Sequence, residues 1–205
     1  MSVLVTGGAG YIGSHVVRLL HQRSDSVLVA DNLSSGILDR IGSSKFLNVD
    51  LAAPNAREVL AEAMSVHEVT SVIHLAAQKQ VGVSVQQPEF YYEQNIGGMT
   101  NLLAAMRETG VDRLVFSSSA ATYGMPDVDS VNEDSACSPI NPYGETKLIG
   151  EWMSANAARA WGLRVANLRY FNVAGAGWPE LADTAVMNLV PIVFAEIGRA
   201  SCRER

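Results

Sequence analysis

The sequence predicts an α/β fold, a doubly wound parallel sheet covered by helices on both faces. Two observations predict it. Short apolar runs alternate with helical patterns along most of the 205 residues, and parallel strands joined by helices form sheets of this kind. A glycine-rich turn also joins the first apolar run to the first helical pattern.

The first strand, turn and helix predict an anion-binding site. Residues 2–5 are apolar and rich in β-branched side chains, as expected of a buried strand. The spacing G-x-G-x-x-G is filled by Gly8, Gly10 and Gly13. The helical pattern from Tyr11 has one apolar face, formed by Ile12, Val16, Leu19 and Leu20. Such a turn directs backbone N–H groups and the positive end of the helix dipole at one point, which suits a pyrophosphate.

A carboxylate after the second strand favours NAD over NADP. The apolar run 27–30 ends in Asp31, eighteen residues beyond Gly13. An acidic residue about 20 residues beyond the glycines accepts hydrogen bonds from the adenine ribose and repels a 2′-phosphate. The alternative is an ordinary tight turn with a helix cap at Asp31. The NAD(P)-binding Rossmann fold is favoured, because the strand, the glycines, the helix, the second strand and the acid occur in the order and spacing of that fold.

The rest of the chain continues the alternation. Further strands are expected at 45–49, 71–75, 112–116 and 163–168. Helices are expected from about Pro54, over 88–109 with a cap at Gly110, and over 143–161. Residues 124–142 are expected to form a surface excursion. His74, inside the fourth strand, is expected to be a core histidine bonded to a neighbour, without a catalytic role.

Three residues form a candidate proton-transfer site. The fifth strand ends in the serines 117–119, and the next helix carries Tyr143 and Lys147 four residues apart, on one face. A free tyrosine has a pKa near 10, and a cation within about 4–6 Å lowers it by roughly 1–3 units. We expect Lys147, together with the positive charge of a bound oxidised nicotinamide, to lower the pKa of Tyr143, which then takes a proton from a sugar hydroxyl that Ser119 also binds. An exposed Tyr–Lys helix pair without function is the alternative.

These stretches together resemble the extended short-chain dehydrogenase/reductase family, and within it the enzymes that epimerise nucleotide sugars. The resemblance spans about the first 190 residues and rests on residues 6–13, 31–33, 74–77, 117–120, 141–147 and 169–172. It implies NAD as cofactor, a UDP-sugar as substrate and a homodimer. It also implies epimerisation of UDP-glucose and UDP-galactose at C4, through a transient 4-keto intermediate.

The expected site residues fall into three groups. The catalytic residues are Ser119, Tyr143 and Lys147. Cofactor contacts are expected from Gly7, Gly10, Tyr11, Ile12, Gly13, Asp31, Asn32, Asp50, Leu51, Leu75, Ala76, Ala77, Lys79, Asn95, Tyr143, Lys147 and Phe171. Substrate contacts are implied for Ser119, Tyr143, Asn172 and Asn188. No metal site is expected.

The resemblance leaves two alternatives open. One is a nucleotide-sugar decarboxylase or dehydratase of the same family, and the other is a non-catalytic NAD-binding fragment. Related dehydratases carry an acid directly after the strand-end Ser/Thr, whereas Ala120 and Ala121 follow Ser119 here. We expect an NAD-binding domain over residues 1–197 and a tail outside the family pattern at 198–205. The smaller C-terminal substrate domain is expected to be largely missing.

Composition narrows the choice of partner and compartment. The formal net charge of −6 speaks against nucleic acid or an anionic membrane as the partner. No apolar run approaches the 18 residues of a membrane span, and a strand beginning at residue 2 leaves no room for a signal peptide. Cys137 and Cys202 lack metal-ligand spacing. We therefore expect a cytoplasmic protein.

Overall fold

The computed structural model describes residues 1–183, 185, 192–193 and 196–197. It divides into two units, Met1–Tyr170 and Phe171–Arg205. The described part of the second unit contains a short 3₁₀ turn at Pro179–Leu181. The expected domain boundary at 197 and the expected tail at 198–205 adjoin or lie outside the described residues, so both stay predictions.

Six strands of the first unit form one parallel sheet in the order β3-β2-β1-β4-β5-β6. They are β1 Ser2–Thr6, β2 Ser26–Asp31, β3 Lys45–Asn48, β4 Ser71–His74, β5 Arg113–Ser119 and β6 Arg164–Tyr170. The order reverses between β1 and β4, and ligands of such sheets bind at the carboxyl ends of the strands at this point. The predicted fold class and the predicted strands are confirmed.

The described helices connect these strands. They are α1 Tyr11–Gln22, α2 Ala56–Val66, α3 Val81–Gln86, α4 Pro88–Tyr91, α5 Gly98–Thr109 and α6 Pro142–Trp161. A π-helical segment, Tyr92–Gly97, joins α4 to α5. The helix predicted over 88–109 is therefore one helical stretch with wider turns in its middle, and Gly110 ends it in the left-handed conformation. The short helix α3 was not predicted.

Each face of the sheet carries its own apolar cluster, because side chains alternate along a strand. One face packs against α2, α5 and α6 through Leu4, Leu28, Val72, Leu114 and Phe116. The opposite face carries Val3, Val5, Val27 and Val29 and packs against Val17 of α1. The sheet is therefore covered on both faces at β1 and β2, as a doubly wound fold requires.

The apolar face predicted for α1 is wrong in detail. Gly13, Ser14 and Val17 are the buried residues of this helix, whereas Leu19 is 51% exposed. The reason is the close approach of α1 to the glycine turn, where a Cβ on Gly13 would lie 2.1 Å from the Gly7 carbonyl oxygen. The smallest residues therefore face the sheet, and the larger apolar ones lie beside the contact.

Residues 124–141 contain neither helix nor strand, as expected of a surface excursion. Among the described residues, no helix has the length and apolar character needed to cross a membrane. The cytoplasmic location stays a prediction. In the described part of the chain, no group of three or more His, Cys, Asp or Glu side chains could hold a metal ion.

The helix α6 rests directly on β5. A Cβ on Gly150 would lie 2.5 Å from Cζ of Phe116, whose ring is buried. The absence of a side chain at Gly150 therefore sets how close α6 comes to the strand. Since α6 begins with Pro142 and Tyr143, this contact also sets the position of the candidate catalytic residues.

We expect Gly150→Ala to lower the free energy of unfolding by about 1–3 kcal/mol, the usual cost of overpacking a core. Urea unfolding measures it. The matched control is Gly97→Ala, where a Cβ would meet nothing within 4 Å; it should be neutral or stabilise by up to about 1 kcal/mol. A Gly150→Ala chain as stable as the unaltered one would show that α6 does not need this close contact.

Candidate active site

The glycine turn lies at the carboxyl end of β1, beside the reversal of strand order. Gly7 has a φ of 70°, its N–H donates to the Ala30 carbonyl at 2.8 Å, and a Cβ there would lie 2.6 Å from the Ala76 nitrogen. Gly10 precedes the first turn of α1, which begins at Tyr11. N–H groups of a first helical turn have no partner inside the helix. The cradle formed by the glycine turn and the start of α1 therefore fits a pyrophosphate.

Asp31 holds the cradle from the end of β2. Its Oδ2 accepts a hydrogen bond from the Ala9 N–H at 3.0 Å, and its Oδ1 accepts one from the Leu33 N–H at 2.9 Å. An ionised carboxylate has about four acceptor positions, so Asp31 keeps capacity for ribose hydroxyls. Asn32 lies beside it, exposed, and accepts a hydrogen bond from the Ser34 N–H. The residues present fit the adenosine half of NAD.

The other expected cofactor residues follow β3 and β4. Asp50 accepts a hydrogen bond from the Ala52 N–H at 2.9 Å, and Leu51 is buried. After β4, Leu75, Ala76 and Ala77 are half-buried and Lys79 is exposed. All of them lie at carboxyl ends of strands, where the fold places a ligand.

Asn95, on the π-helical segment, braces the residues that follow β4. Its Oδ1 accepts from the Gln78 N–H at 2.8 Å, and its Nδ2 donates to the Gln78 carbonyl and to Oγ1 of Thr146, both at 3.0 Å. The side chain thereby ties the β4 end to α6. Its expected contact with the cofactor stays a prediction.

The three candidate catalytic residues come together at the end of β5. Ser119 is close enough to the Tyr143 phenol to lower its pKa, and its Oγ accepts from the Ala121 N–H at 3.1 Å. Lys147 is 4% exposed, and its Nζ donates to the Ser117 carbonyl at 2.7 Å. That Nζ lies 5.2 Å from the Phe116 ring centre and 5.9 Å from the Tyr143 ring centre.

The expected effect of Lys147 on Tyr143 is not seen in this structure. Burial raises the pKa of the Tyr143 phenol, and only the hydrogen bond with Ser119 acts in the opposite direction. Burial also lowers the pKa of Lys147 to about 8, which weakens it as a source of positive charge. Helical spacing predicts the distance between the two groups, but the cost of burying each of them depends on the packed structure.

His74 is the core histidine that the sequence predicts. Its Nδ1 hydrogen-bonds Oγ1 of Thr6 at 2.6 Å, and its ring stacks on Phe116 with centres 5.7 Å apart. Burial, together with the charge of Lys147, lowers the pKa of His74 to about 3. The ring is therefore neutral at physiological pH, and it links β1, β4 and β5 beneath the site.

A family model described as the NAD dependent epimerase/dehydratase family matches residues 3–201. The chain belongs to the NAD dependent epimerase/dehydratase family. Among its members, the UDP-glucose 4-epimerase of Halalkalibacterium halodurans is 45% identical over 197 residues, covering 95% of this chain and 58% of that protein. The predicted family is therefore confirmed, and the expected cofactor, NAD, is the one in the family's description.

Solved structures of UDP-glucose 4-epimerases resemble this chain. The Brucella ovis protein, in complex with NAD, has a TM-score of 0.82 and 46% identity, and the match covers 85% of this chain and 53% of that one. The Thermotoga maritima protein, with UDP-glucose, has a TM-score of 0.81 and 38% identity over 85% and 57% of the two chains. This family member thus spans little more than half the length of the relatives it matches.

Three expected site residues lie outside the site described above. Phe171 and Asn172 are the first residues of the second unit, and Asn188 lies outside the described residues. Their expected contacts stay predictions.

Sequence reasoning missed a buried ionic group beside the catalytic residues. Glu151 accepts a hydrogen bond from Ser118 Oγ at 2.5 Å and two from Arg169, at 2.9 and 2.7 Å. A signal for it exists in the sequence, because Glu151 follows Lys147 by four residues, as Lys147 follows Tyr143. Residues at this spacing share one helix face.

The pKa of His74 predicts how acid destabilises the chain. The unfolded chain protonates this histidine near its ordinary pKa of 6.5, but the folded chain only near 3. The contribution of neutral His74 to the free energy of unfolding is therefore fully present above about pH 6.5. It is lost as the pH falls toward 3, by about 1.4 kcal/mol per pH unit. Urea unfolding between pH 4 and 7 should show a shallower slope for His74→Asn, and an equal slope would contradict a neutral buried ring.

Proposed function

We propose that the protein uses NAD to epimerise UDP-hexoses at C4, interconverting UDP-glucose and UDP-galactose through a 4-keto sugar. The observation that carries the proposal is the grouping of Ser119, Tyr143 and Lys147 at the carboxyl end of the same parallel sheet that carries the glycine turn. The relatives named UDP-glucose 4-epimerase support it. This chain would supply the cofactor site and the proton-transferring residues.

Tyr143 is the proposed acid and base. Its phenolate takes the proton of the sugar's C4 hydroxyl, and its phenol returns a proton to the ketone oxygen after the sugar has turned. Ser119 lies beside the phenol, so it can bind the same sugar oxygen and orient the transfer. When bound, NAD accepts a hydride from C4, returns it to the opposite face of the ring, and carries a positive charge in its oxidised form.

Lys147 has two proposed roles. Its bond to the Ser117 carbonyl holds the end of β5 against α6. Below its pKa of about 8 it is positively charged, but in this structure that charge does not lower the pKa of Tyr143. Since burial raises the pKa of Tyr143, the base requires the charges of Lys147 and of oxidised NAD together. Catalysis by this pair should therefore decline as the pH rises well above 8.

The alternatives from the same family are a dehydratase and a decarboxylase of nucleotide sugars. Elimination of water calls for an acid directly after the strand-end serine, but Ala120 and Ala121 occupy these positions, in the 3₁₀ turn Ala120–Tyr123. This favours epimerisation. Contacts of Phe171 with the cofactor, and of Asn172 and Asn188 with the sugar nucleotide, belong to the same proposal.

A non-catalytic NAD-binding fragment is the second candidate function. The length of the chain favours this function, since the match covers only 58% of the Halalkalibacterium halodurans relative. Two measurements on the purified chain separate the candidates: NAD binding by calorimetry and conversion of UDP-galactose to UDP-glucose. Binding without conversion selects the fragment, and conversion selects the epimerase.

We also propose that the protein is a homodimer that pairs through α6 and the helical stretch 88–109. Trp152 on α6 is 58% exposed, and an exposed indole of this size is typical of an interface. Phe90 and Val85, on or just before that stretch, are exposed as well. A two-fold contact would cover the same apolar patch on both copies.

The first prediction from this proposal concerns cofactor choice. The chain should bind NAD at least about tenfold more tightly than NADP, because the Asp31 carboxylate repels a 2′-phosphate. Asp31→Asn keeps the side-chain size but removes the charge, and it should reduce this preference in calorimetric titrations. Asp39→Asn, at an exposed position, is the charge-matched control and should keep it. Equal affinity of the unaltered chain for NAD and NADP would contradict the role of Asp31.

The second concerns Tyr143, measured in this chain joined to the C-terminal region of the Halalkalibacterium halodurans relative. Tyr143→Phe removes the proton-transferring oxygen and should lower turnover of UDP-galactose by about 10²–10⁴, with NAD still bound. Tyr92→Phe is the control, since it also loses one hydroxyl, which bonds Glu145 instead. Near-normal turnover by Tyr143→Phe would remove Tyr143 from the mechanism.

The third concerns assembly and uses Trp152. Trp152→Glu places a charge in the proposed interface and should convert a dimer to a monomer in sedimentation velocity experiments at micromolar concentration. Val66→Glu, at a position 68% exposed at the end of α2, should leave the dimer intact. An unaltered chain that sediments as a monomer would overturn the proposed pairing.

A further inference from the structure

One face of α6 is matched to the serines at the end of β5, residue by residue. Tyr143 is close enough to Ser119 for that serine to lower its pKa, Lys147 donates to the carbonyl of Ser117, and Glu151 accepts from the hydroxyl of Ser118. The three helix residues are spaced four apart and the three serines are consecutive. Two hydrogen bonds therefore fix the end of β5 to the helix, one through the Ser117 carbonyl and one through the Ser118 hydroxyl, and Tyr143 lies beside the third serine.

Glu151 is the most firmly held of the three helix residues. It is 8% exposed, and Arg169 of β6 donates to both of its oxygens. Arg169 also donates to Oη of Tyr123 at 3.0 Å and to the Glu133 carbonyl at 3.3 Å. A buried ion pair adds little stability beyond an apolar contact, but a fully bonded one can specify a single geometry.

We propose that Glu151 is a positioning residue of the active site: fixed by Arg169, its carboxylate holds Ser118, and thereby keeps Ser117 and Ser119 in register with Lys147 and Tyr143. This inference rests on the proposed function, because it takes the roles of Tyr143, Lys147 and Ser119 from it. Misplacement of a reacting group by about 1 Å can lower the reaction rate by about 10². A contact that fixes the relative positions of these side chains therefore preserves the rate.

The variant Ser118→Ala distinguishes the effect of holding the strand end in position from the effect of the charges near Lys147. Among the described residues, the charged and titratable groups near Lys147 include His74 on β4, Tyr143 on α6, and the Glu151–Arg169 pair one turn further on. All of them remain in this variant, which loses only the link between Glu151 and the strand. If that link fixes the strand end, the bond from Lys147 to the Ser117 carbonyl weakens without it.

Lysine titration provides the readout. Lys45, Lys79 and Lys147 are the lysines of the chain, so [ε-¹³C]lysine gives few NMR signals, and Lys147→Arg assigns the one that titrates near 8. A hydrogen bond to the ammonium favours its charged form. In the 205-residue chain without ligand, we expect Ser118→Ala to lower this midpoint by about half a pH unit or more. Ser154→Ala is the matched control.

Ser154 is a suitable control because it is also a buried serine on α6 but bonds to elements other than β5. It donates to the Gly150 and Glu151 carbonyls of its own helix and to Oδ1 of Asn167 on β6 at 3.3 Å. Its loss should leave the midpoint within about 0.2 units. A second variant, Glu151→Asp, keeps the charge and shortens the reach toward Ser118, so it should lower the midpoint as Ser118→Ala does. If Ser118→Ala does not fold by circular dichroism, Glu151→Asp decides the question.

An unchanged midpoint in the folded variants would overturn the proposal and leave Glu151 a structural residue. An equal fall in Ser154→Ala would overturn it as well. Because the measurement needs neither NAD nor sugar, failure of the epimerase proposal shows in the binding and turnover experiments, and failure of this inference shows in the lysine titration.

Discussion

The close packing of α6 on β5 is the constraint on which the site depends. Gly150 packs against the outer atoms of the Phe116 ring, with no room for a Cβ, and the same ring lies 5.2 Å from the Lys147 ammonium. One aromatic ring therefore sets the distance between helix and strand and also borders the buried charge. With a wider gap, Lys147 could not reach the Ser117 carbonyl, and Tyr143 would lose contact with Ser119.

Burial of charge is the cost of this arrangement. Lys147 is almost fully enclosed, and the neighbouring His74 stays neutral, since burial and the charge of Lys147 both oppose a second cation there. The bond from Thr6 to the histidine satisfies the ring without charging it. The protein thus concentrates one positive charge beneath the candidate catalytic tyrosine, and it does so in a place where water screens it little.

Sequence patterns predicted the sheet, the long helices and the grouping of Ser119, Tyr143 and Lys147, because these depend on local periodicity and on where parallel strands end. These patterns failed where contacts between residues distant in the sequence determine which side chains are buried and how they are charged. The buried face of α1 follows from Gly13 against Gly7, not from apolar spacing. The raised pKa of Tyr143 follows from burial. Glu151 and Arg169 are eighteen residues apart, and the wider turns at 92–97 are stabilised by partners such as Gln78 that no helical pattern includes.

The surface excursion is a closed loop, and this has a practical consequence. Its two ends touch, since a Cβ on Gly124 would lie 1.9 Å from the Ser138 carbonyl oxygen, and Asn141 then caps α6 through the Gly144 N–H. The tip at 125–130 is exposed throughout. Exposed loop tips whose ends are fixed accept foreign segments without strain on the fold. A fluorescent peptide inserted there would report conformational changes near the site, because the base of the loop adjoins the 3₁₀ turn that begins after Ser119.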